Sequence, residues 1–251
     1  MNKQQLINEL KKEGFSNLIL KAFQKVKREK FIPKHLKPYA YRNEPLSIGE
    51  GSTISQPYTI AFMLNLLELN KLSGLTKNIN DKLLSNIIKE NIINNKEKLS
   101  EQENLGKKYE KVDFTNKEDK IKILEIGSGS GYVLALISEI LKIKNLKLDY
   151  EIYGIEINEE LVKKSKNVLK NKNIEIIKSD GSKGLKEKSP FDRILVSAAF
   201  EKIPENIFSQ LREKGILVTP VRNSIFQFKK IENKIKSREF PGFIFVPVVE
   251  D

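Results

Sequence analysis

Three glycines at alternating positions, Gly127, Gly129 and Gly131, form the pattern in this chain with the clearest capacity to bind a ligand. They directly follow the apolar run IKILEI, and an acidic residue, Glu125, lies two positions before the first glycine. Glycine has no Cβ, so its backbone can approach a ligand closely. A dinucleotide-binding turn of the form G-x-G-x-x-G needs glycine where this chain has Tyr132. The spacing therefore favours a nucleoside ligand without a pyrophosphate, although a tight strand-to-helix turn without a ligand gives the same pattern.

Two acidic residues stand where the next two apolar runs end. Glu156 closes YEIYGIE, about 25 residues after the glycines, where nucleotide-binding sheets place a carboxylate that binds both ribose hydroxyls. A carboxylate suits this task because its two oxygens accept hydrogen bonds at the same time. Asp180 and Gly181 follow NIEIIKS, and this aspartate is positioned to accept a hydrogen bond from an adenine amino group. Taken singly, Glu156 also fits an acid at a helix N-terminus, and Asp-Gly is an ordinary turn pair.

The pattern from Lys120 onward predicts the scaffold that brings these residues together. The runs IKILEI, YEIYGIEI, NIEIIK, FDRILV and GILVTPV read as strands, and helices are predicted at 132–143, 159–171 and 203–213. Such alternation indicates an α/β fold with a doubly wound, mostly parallel sheet. The runs at 225–231 and 243–249 predict an antiparallel hairpin at the sheet edge, which gives about seven strands in all. Ligands bind at the carboxyl ends of the strands in such sheets, where the glycines and both acids would meet.

The chain divides into three regions around this scaffold. Residues 1–69 predict an N-terminal helical region, broken at Gly14, followed by a polar loop and by a helix that begins at Pro57. Residues 70–120 are rich in lysine, asparagine and glutamate and predict an insertion that is partly helical, around Asn80–Ile93, or disordered. Residues 121–251 predict the ligand-binding core, which forms one structural domain with residues 1–69.

The composition excludes several kinds of site. The chain has no cysteine and one histidine, His35, so disulfides and cysteine- or histidine-based metal centres are excluded and no metal is expected. His35 lies in the loop KHLKP, away from the motifs, and is expected to be a surface or packing residue. The net charge of +12 is spread over predicted helix faces, which argues against specific nucleic-acid recognition. The absence of a long apolar run and of a signal-peptide core predicts a soluble, cytoplasmic protein.

Together the three motifs resemble those of Rossmann-like S-adenosylmethionine-dependent methyltransferases. The segment Ala40–Pro57, which includes IGEGSTISQP, narrows the resemblance to the protein-L-isoaspartate O-methyltransferase family. The same likeness is carried by four further segments, Lys27–Pro33, Phe191–Ala199, Gly215–Val221 and Phe245–Val248. It covers nearly the whole chain apart from residues 70–120, where the family usually has only a few residues, and Ser179 stands where glycine is common. The resemblance implies a Rossmann-like core with an N-terminal helical addition.

The resemblance also implies a set of site residues. The loop at residues 53–57 would cover the methyl donor and help to form the acceptor pocket, with Ser55 as the active-site hydroxyl. The residues implied to bind S-adenosyl-L-methionine, or its product S-adenosyl-L-homocysteine, are Thr53, Ile54, Ser55, Glu125, Gly127, Ser128, Gly129, Gly131, Glu156, Ile157, Asp180 and Gly181. The residues implied to contact the acceptor are Ser55, Gln56, Pro57, Ala198 and Ala199.

The implied reaction is methyl transfer to the α-carboxylate of L-isoaspartyl residues in damaged proteins. A carboxylate is ionised near neutral pH, so it needs no strong general base, which suits a chain with one histidine and no cysteine. Isoaspartyl proteins or peptides are the expected partners, with no specific nucleic acid and no membrane, and the protein is expected to be a monomer. Two alternatives stay open: an RNA or small-molecule methyltransferase on the same fold, and a catalytically inactive S-adenosylmethionine-binding module. Against the RNA enzyme, Ser197–Phe200 does not contain the Asn/Asp-Pro-Pro-aromatic element common in base-amine methyltransferases.

Overall fold

The computed structural model describes residues 1–72, 120–145, 149–170, 173–202 and 205–245. Residues Met1–Leu69 and Ile121–Asp251 belong to one compact unit. Its α-helices are α1 (Lys3–Lys12), α2 (Asn17–Lys25), α3 (Pro57–Leu66), α4 (Tyr132–Lys144), α5 (Glu159–Val168) and α6 (Glu205–Phe208). Its strands are β1 (Leu46–Gly49), β2 (Ser52–Ile54), β3 (Ile121–Ile126), β4 (Tyr150–Glu156), β5 (Ile174–Lys178), β6 (Phe191–Val196), β7 (Leu211–Val221), β8 (Ser224–Ile231) and β9 (Lys234–Pro241). Single 3₁₀ turns lie at Arg28–Lys30, Lys34–Tyr39, Leu69–Lys71, Gly181–Lys183 and Lys186–Lys188.

The main sheet has seven strands in the order β5-β4-β3-β6-β7-β8-β9. Strands β3 to β7 pair in parallel, and β8 and β9 pair antiparallel at one edge. The order reverses direction between β3 and β6, which is the switch point at which sheets of this kind bind ligands. The prediction of a doubly wound, mostly parallel sheet with an antiparallel C-terminal hairpin is therefore confirmed.

The two faces of the sheet bury different sets of side chains because neighbouring residues of a strand point in opposite directions. On one face, Leu124, Ile155, Ile194 and Val196 belong to an apolar core that also includes Phe228. The other face of β3 and β4 lies beneath α4, where a Cβ at Gly154 would come within 2.6 Å of the Leu134 side chain. Because α4 packs closely on the sheet, the glycine-rich turn that joins β3 to α4 is held in place.

The N-terminal helices form a layer on α4. Asn2 and Ser16 cap α1 and α2, and Gly14 lies between them with a φ of +83°, so the predicted break at this glycine is confirmed. The inner face of α2 buries Phe23, whose ring meets the ring of Tyr132 edge-on at a centroid distance of 6.2 Å. This contact joins the N-terminal region to the first residue after the glycine-rich turn.

The sequence-based prediction of a helix at 203–213 is wrong in its second half. Helix α6 ends at Phe208, and β7 already begins at Leu211, which pairs with Phe191. The carboxylate of Glu213 accepts hydrogen bonds from the backbone of Glu232 and Asn233 in the turn between β8 and β9. Pairing with β6 and with this turn outweighs the local helical pattern.

The second strand of the edge hairpin was predicted at residues 243–249 and is found instead at Lys234–Pro241. The chain reverses immediately after Ile231 through Glu232 and Asn233, whose φ angles of +53° and +58° are those of a tight hairpin turn. Strand β9 lies at the sheet edge with almost every residue exposed, so it needs no apolar run. Residues 243–245 follow it without strand structure, and residues 246–249 lie outside the described part of the chain.

Helix α3 is fixed to the sheet at its C-terminal end. The Arg193 side chain donates from Nε to the carbonyl of Leu67 at 2.6 Å, and Gln227 Nε2 donates to the carbonyl of Leu66 at 2.5 Å. Carbonyl groups in the last turn of a helix have no partner within the helix, so these two bonds satisfy groups that would otherwise need water. The first turn of α3 begins at Pro57, as predicted.

Most of the predicted insertion lies outside the described residues. Of residues 70–120, the structure describes 70–72 and 120, and the helix predicted around Asn80–Ile93 falls in the remainder. Among the residues that are described, no helix has both the length and the apolar character needed to cross a membrane.

Candidate active site

A cavity of about 470 Å³ opens at the carboxyl ends of β3, β4, β5 and β6. Its size is within the range of small-molecule sites, and its place in the sheet is the one expected for a ligand site in this architecture. The sheet side of the cavity is lined by Ile126, Gly127, Gly129, Ile155, Glu156, Ile157, Ser179, Gly181, Ser197 and Ala198. The opposite side is lined by Pro45, Glu50, Gly51, Ser52, Thr53, Ser55, Gln56, Thr59, Ile244 and Phe245.

The glycine-rich turn after β3 is held by hydrogen bonds to the end of β4. The backbone N–H groups of Gly127 and Ser128 both donate to the carbonyl of Ile155, at 2.9 and 3.0 Å. The φ angles of the three glycines are +74°, +51° and +80°, a region that side chains disfavour. At Gly131 a Cβ would also come within 2.5 Å of Leu169, so this third glycine packs against the segment after α5.

Glu156 forms hydrogen bonds both with the glycine-rich turn and with the residue that precedes helix α5. Its Oε2 accepts a hydrogen bond from the backbone of Gly129 at 2.8 Å, and its Oε1 accepts one from Asn158 at 3.0 Å. The side chain is buried but reaches the cavity wall. A carboxylate has about four acceptor positions, so each oxygen keeps one for a ligand hydroxyl. The two fixed bonds hold the carboxylate in one orientation and leave it able to bind a diol.

The turn after β5 is organised around Asp180. Its side chain accepts a hydrogen bond from the backbone of Ser182 at 2.8 Å and pairs with Lys183 Nζ at 3.3 Å. Burial alone would raise the pKa of Asp180, but the bonds from Ser182 and Lys183 outweigh it and leave the pKa below its ordinary value. The carboxylate is therefore ionised at neutral pH. Gly181 lies on the cavity wall, and a Cβ there would come within 2.7 Å of Ile126.

The opposite wall is a lid made of the β1–β2 hairpin and the loop that leads into α3. The hairpin reaches the glycine-rich turn through Ile48, whose side chain would lie 3.2 Å from a Cβ at Gly129. The entry to α3 is fixed because the backbone N–H of Tyr58 donates to the Asn43 side chain at 3.0 Å. Ser55 lies between these two fixed points and lines the cavity. Within the described part of the chain its hydroxyl has no hydrogen-bond partner, so it is available to a ligand.

Glu125 lies directly beneath the cavity and is fully buried. Ser197, which lines the cavity at the end of β6, donates a hydrogen bond from Oγ to Glu125 Oε1 at 2.6 Å. Burial raises the pKa of Glu125 to about 8; the bond from Ser197 works in the opposite direction, and the charge of Glu156 adds to the rise. In the ligand-free protein this carboxyl group is therefore mostly neutral at pH 7. Glu125 Oε2 and Ser128 Oγ are buried without a partner among the described residues.

The residues predicted from sequence divide between the cavity wall and the layer behind it. Those on the wall are Thr53, Ser55, Gln56, Gly127, Gly129, Glu156, Ile157, Gly181 and Ala198. Those that do not line the cavity are Ile54, Pro57, Glu125, Ser128, Gly131, Asp180 and Ala199, which surround or support residues that do. The structure therefore brings the two acidic strand ends, the glycine-rich turn and the lid serine around one space. Their individual roles toward ligands stay predictions.

Several wall residues were not anticipated as site residues. Ser179 and Ser197 follow β5 and β6 directly, so the rule that ligands bind at strand ends was enough to find them. Thr59 lies in the first turn of α3, close to Ser55 in sequence, and helical geometry turns it toward the cavity. Ile244 and Phe245 reach the mouth of the cavity only because β9 runs back toward it, and no local sequence pattern indicates this. Ile244 is 91% exposed, so it offers an apolar surface at the entrance.

The residues present fit an adenosyl ligand. The wall offers an oriented carboxylate for a diol and two glycines that leave the turn open, and Asp180 lies behind it, next to Gly181. Apolar side chains at Ile126, Ile155 and Ile157 supply the flat surface that a nucleobase needs. No cluster of three or more histidine, cysteine or acidic side chains arranged to hold a metal ion occurs among the described residues.

Comparisons with known proteins identify the family of this chain. The family model for protein-L-isoaspartate(D-aspartate) O-methyltransferase (PCMT) matches residues 1–76 and 80–251. A protein-L-isoaspartate O-methyltransferase of Petrotoga mobilis is 38% identical over 251 residues, covering 96% of this chain and 92% of that protein. One from Methanococcus maripaludis strain C7 is 31% identical over 237 residues, covering 92% and 87%.

A solved structure from Plasmodium falciparum has the same fold. It is described as a protein-L-isoaspartate O-methyltransferase in complex with S-adenosyl-L-homocysteine, and it superposes with a TM-score of 0.71 at 21% identity. The match covers 100% of both chains, and at this identity it supports the fold alone. The sequence relatives and the family model show the family of this chain as well as its fold. The resemblance seen in the motifs is confirmed, and this chain belongs to the protein-L-isoaspartate(D-aspartate) O-methyltransferase family.

Proposed function

We propose that this protein transfers a methyl group from S-adenosyl-L-methionine to the α-carboxylate of L-isoaspartyl residues in damaged proteins. The observation that carries the proposal is that one cavity is lined by Ser55 of the lid, by Glu156 and by the glycine-rich turn. Family membership supports the same activity, because relatives at 38% and 31% identity are named protein-L-isoaspartate O-methyltransferases. The expected partners are proteins or peptides that contain L-isoaspartate.

The donor would occupy the sheet side of the cavity. In this proposal Glu156 accepts hydrogen bonds from the ribose hydroxyls, and the Asp180–Gly181 turn meets the adenine. Gly127 and Gly129 allow the backbone of the turn to approach the methionine and ribose portions. Glu125 and Ser128 lie behind this wall and do not line the cavity, and each has a buried polar atom that has no partner among the described residues.

The acceptor would enter from the lid side, between Ser55 and Ala198. Ser55 has a hydroxyl that faces the cavity and is not engaged elsewhere among the described residues. It can donate a hydrogen bond to one oxygen of the acceptor carboxylate and thereby direct the other oxygen toward the donor. Thr59, in the first turn of α3, adds a second hydroxyl-bearing side chain to the same wall. Ile244 and Phe245 offer an apolar surface at the mouth of the cavity to the polypeptide on either side of the acceptor.

This reaction requires the protein to align the donor with the acceptor more than to transfer a proton. S-adenosylmethionine, when bound, supplies an electrophilic methyl group on a sulfonium centre. The acceptor is an ionised carboxylate, so the wall residues need not remove a proton from it. Their task is to bring the reacting atoms to near-attack distance and to keep water out while opposite charges neutralise one another. A wall of hydroxyl, backbone N–H and apolar groups suits this task, and a strong base in contact with the acceptor is not required.

Three further expectations from sequence belong to the same proposal. Residues 1–69 and 121–251 act as one catalytic unit, with 70–120 as an insertion that leaves the site intact. The protein acts as a monomer, which light scattering coupled to size-exclusion chromatography would test. It works in the cytoplasm, which a fluorescent fusion imaged in its native cells would test.

The decisive experiment compares three acceptors in one labelled-methyl assay. An isoaspartyl peptide, its aspartyl twin and bulk RNA are each incubated with the protein and S-adenosylmethionine. We expect base-labile methyl ester on the isoaspartyl peptide alone. Stable methyl groups on RNA would show the RNA methyltransferase alternative to be correct instead. Binding of S-adenosylhomocysteine without transfer to any of the three would favour an inactive binding module.

A further inference from the structure

Gln210 is a buried amide directed at the loop that follows β5. It lies between α6 and β7 and is 2% exposed. Its backbone is fixed, because its carbonyl accepts a hydrogen bond from Phe191 at 2.8 Å. Both polar atoms of its side-chain amide form hydrogen bonds with the loop. Oε1 accepts a hydrogen bond from the backbone N–H of Leu185 at 2.8 Å, and Nε2 donates one to the carbonyl of Lys183 at 2.9 Å. The amide therefore holds the loop on both sides of Gly184.

Gly184 shows how closely the amide fits the loop. Its φ is +68°, and a Cβ placed there would come within 2.5 Å of Gln210 Nε2 and 2.6 Å of Oε1. The amide therefore occupies the space that a side chain at this position would need. A third bond comes from Asn206 at the surface, whose Nδ2 donates to the carbonyl of Ser182 at 2.6 Å. Three residues of the loop, Ser182, Lys183 and Leu185, are thus hydrogen-bonded to Asn206 and Gln210.

The loop held in this way carries the cavity residues after β5. Ser182 and Lys183 are the two residues that bond to the Asp180 carboxylate. Gly181 packs against Ile126 on the cavity wall. A shift of residues 182–185 would therefore move both Asp180 and Gly181. Gln210 itself does not line the cavity, so any influence on a ligand must pass through the loop.

We propose that Gln210 is a positioning residue for the nucleobase end of the methyl donor. The inference rests on the proposed function, in which Asp180 and Gly181 meet the adenine. Gln210 fixes the loop from behind, so it sets the affinity for donor and product. Ser55 lies on the lid and Ala198 follows β6, and among the described residues no hydrogen bond joins either of them to the Gln210 side chain. Loss of the amide should therefore weaken donor binding while leaving turnover at saturating donor nearly unchanged.

The test compares Gln210→Met with a matched variant, Gln227→Met. Both glutamines are 2% exposed and donate to a backbone carbonyl, but Gln227 bonds to Leu66 at the far end of α3. Methionine keeps the length of the side chain and removes its hydrogen bonds. Calorimetric titration with S-adenosylhomocysteine gives the Kd, and steady-state kinetics with an isoaspartyl peptide give KM for S-adenosylmethionine and kcat.

For Gln210→Met we expect Kd and KM to rise about tenfold, the effect of losing one to two net hydrogen bonds, with kcat within about twofold. Gln227→Met should leave Kd within about twofold, although it loses a comparable buried bond. If Gln210→Met does not fold, Asn206→Ala probes the same loop from the exposed surface, with an expected rise in Kd of about threefold.

Unchanged Kd in the folded Gln210 and Asn206 variants would overturn the inference. An equal rise in Kd for Gln210→Met and Gln227→Met would also overturn it, because that result reports general loosening of the core. Failure of the unmodified protein to bind S-adenosylhomocysteine is a separate result, which would refute the proposed function and the inference with it.

Discussion

Replacing Glu125 by glutamine should make the stability of the ligand-free protein less sensitive to pH between 5 and 7. Glu125 is fully buried beneath the cavity, and burial raises its pKa from 4.5 to about 8. Glutamine has nearly the same shape, keeps an oxygen for the bond from Ser197 and carries no charge. The variant therefore resembles the neutral form of Glu125 at every pH.

The direction of the effect follows from the raised pKa. The folded protein holds this proton more tightly than the unfolded chain, so the stability it contributes is fully present below pH 4.5 and is lost as pH rises toward 8. Each pH unit within this window changes the free energy of unfolding by at most about 1.4 kcal/mol. Between pH 5 and 7 the loss through Glu125 amounts to about 2.5 kcal/mol in the unmodified protein and is absent in Glu125→Gln.

Urea unfolding at pH 5, 6 and 7 measures this difference directly. The stability of Glu125→Gln relative to the unmodified protein should rise by about 2.5 kcal/mol over the series, or by about 5–10 °C in Tm. Glu201→Gln, a substitution of an exposed glutamate, serves as control and should give a curve parallel to that of the unmodified protein. Parallel curves for Glu125→Gln would refute the reasoning, because they would mean that Glu125 ionises in the folded state as it does in the unfolded chain.

Three further predictions concern the lid, the glycine-rich turn and the sheet. Ser55→Ala should lower kcat with an isoaspartyl peptide about 10- to 100-fold and leave Kd for S-adenosylhomocysteine within about twofold; unchanged turnover would exclude the proposed role of this hydroxyl. Gly131→Ala should reduce the free energy of unfolding in urea by about 1–2 kcal/mol, because φ is +80° and the new Cβ meets Leu169; equal stability would contradict this. Asp192→Ala should reduce the free energy of unfolding by about 2–3 kcal/mol, because the buried carboxylate accepts a hydrogen bond from the Lys122 backbone and pairs with Arg212. A loss below about 1 kcal/mol would count against that role.

The sequence predicted the fold correctly where the local residue pattern and the geometry of the sheet favour the same structure. Glu156 ends a strand as its position predicted, and the three glycines lie in the turn between a strand and a helix, as the sequence pattern predicted. Parallel pairing of the strands was predicted from the alternation of strand and helix, because two strands joined by a crossover helix run in the same direction. These features depend on residues close together in the chain, which a pattern can capture.

The features that sequence did not predict depend on contacts between distant residues. Strand β9 has no apolar pattern, because it lies at the sheet edge and owes its conformation to pairing with β8. Residues 211–213 have a helical pattern, but Leu211 pairs with β6 and Glu213 bonds to the turn between β8 and β9, so this segment belongs to strand β7. Gln210 has no distinguishing neighbour in sequence, since its two partners lie 25 and 27 residues away. Ile244 and Phe245 reach the cavity only through the course of the whole hairpin.

The anchoring of α3 separates two parts of the chain that are neighbours in sequence. The last carbonyls of this helix are taken by Arg193 and Gln227, so the helix is braced against the sheet before the chain leaves it. Ser55 lies in the loop two residues before the opposite end of the same short helix, 11 residues before Leu66. The end of α3 from which the chain leaves this unit is therefore held by side chains of β6 and β8. We expect the helix to keep its place on the sheet when the chain beyond residue 72 is altered in length.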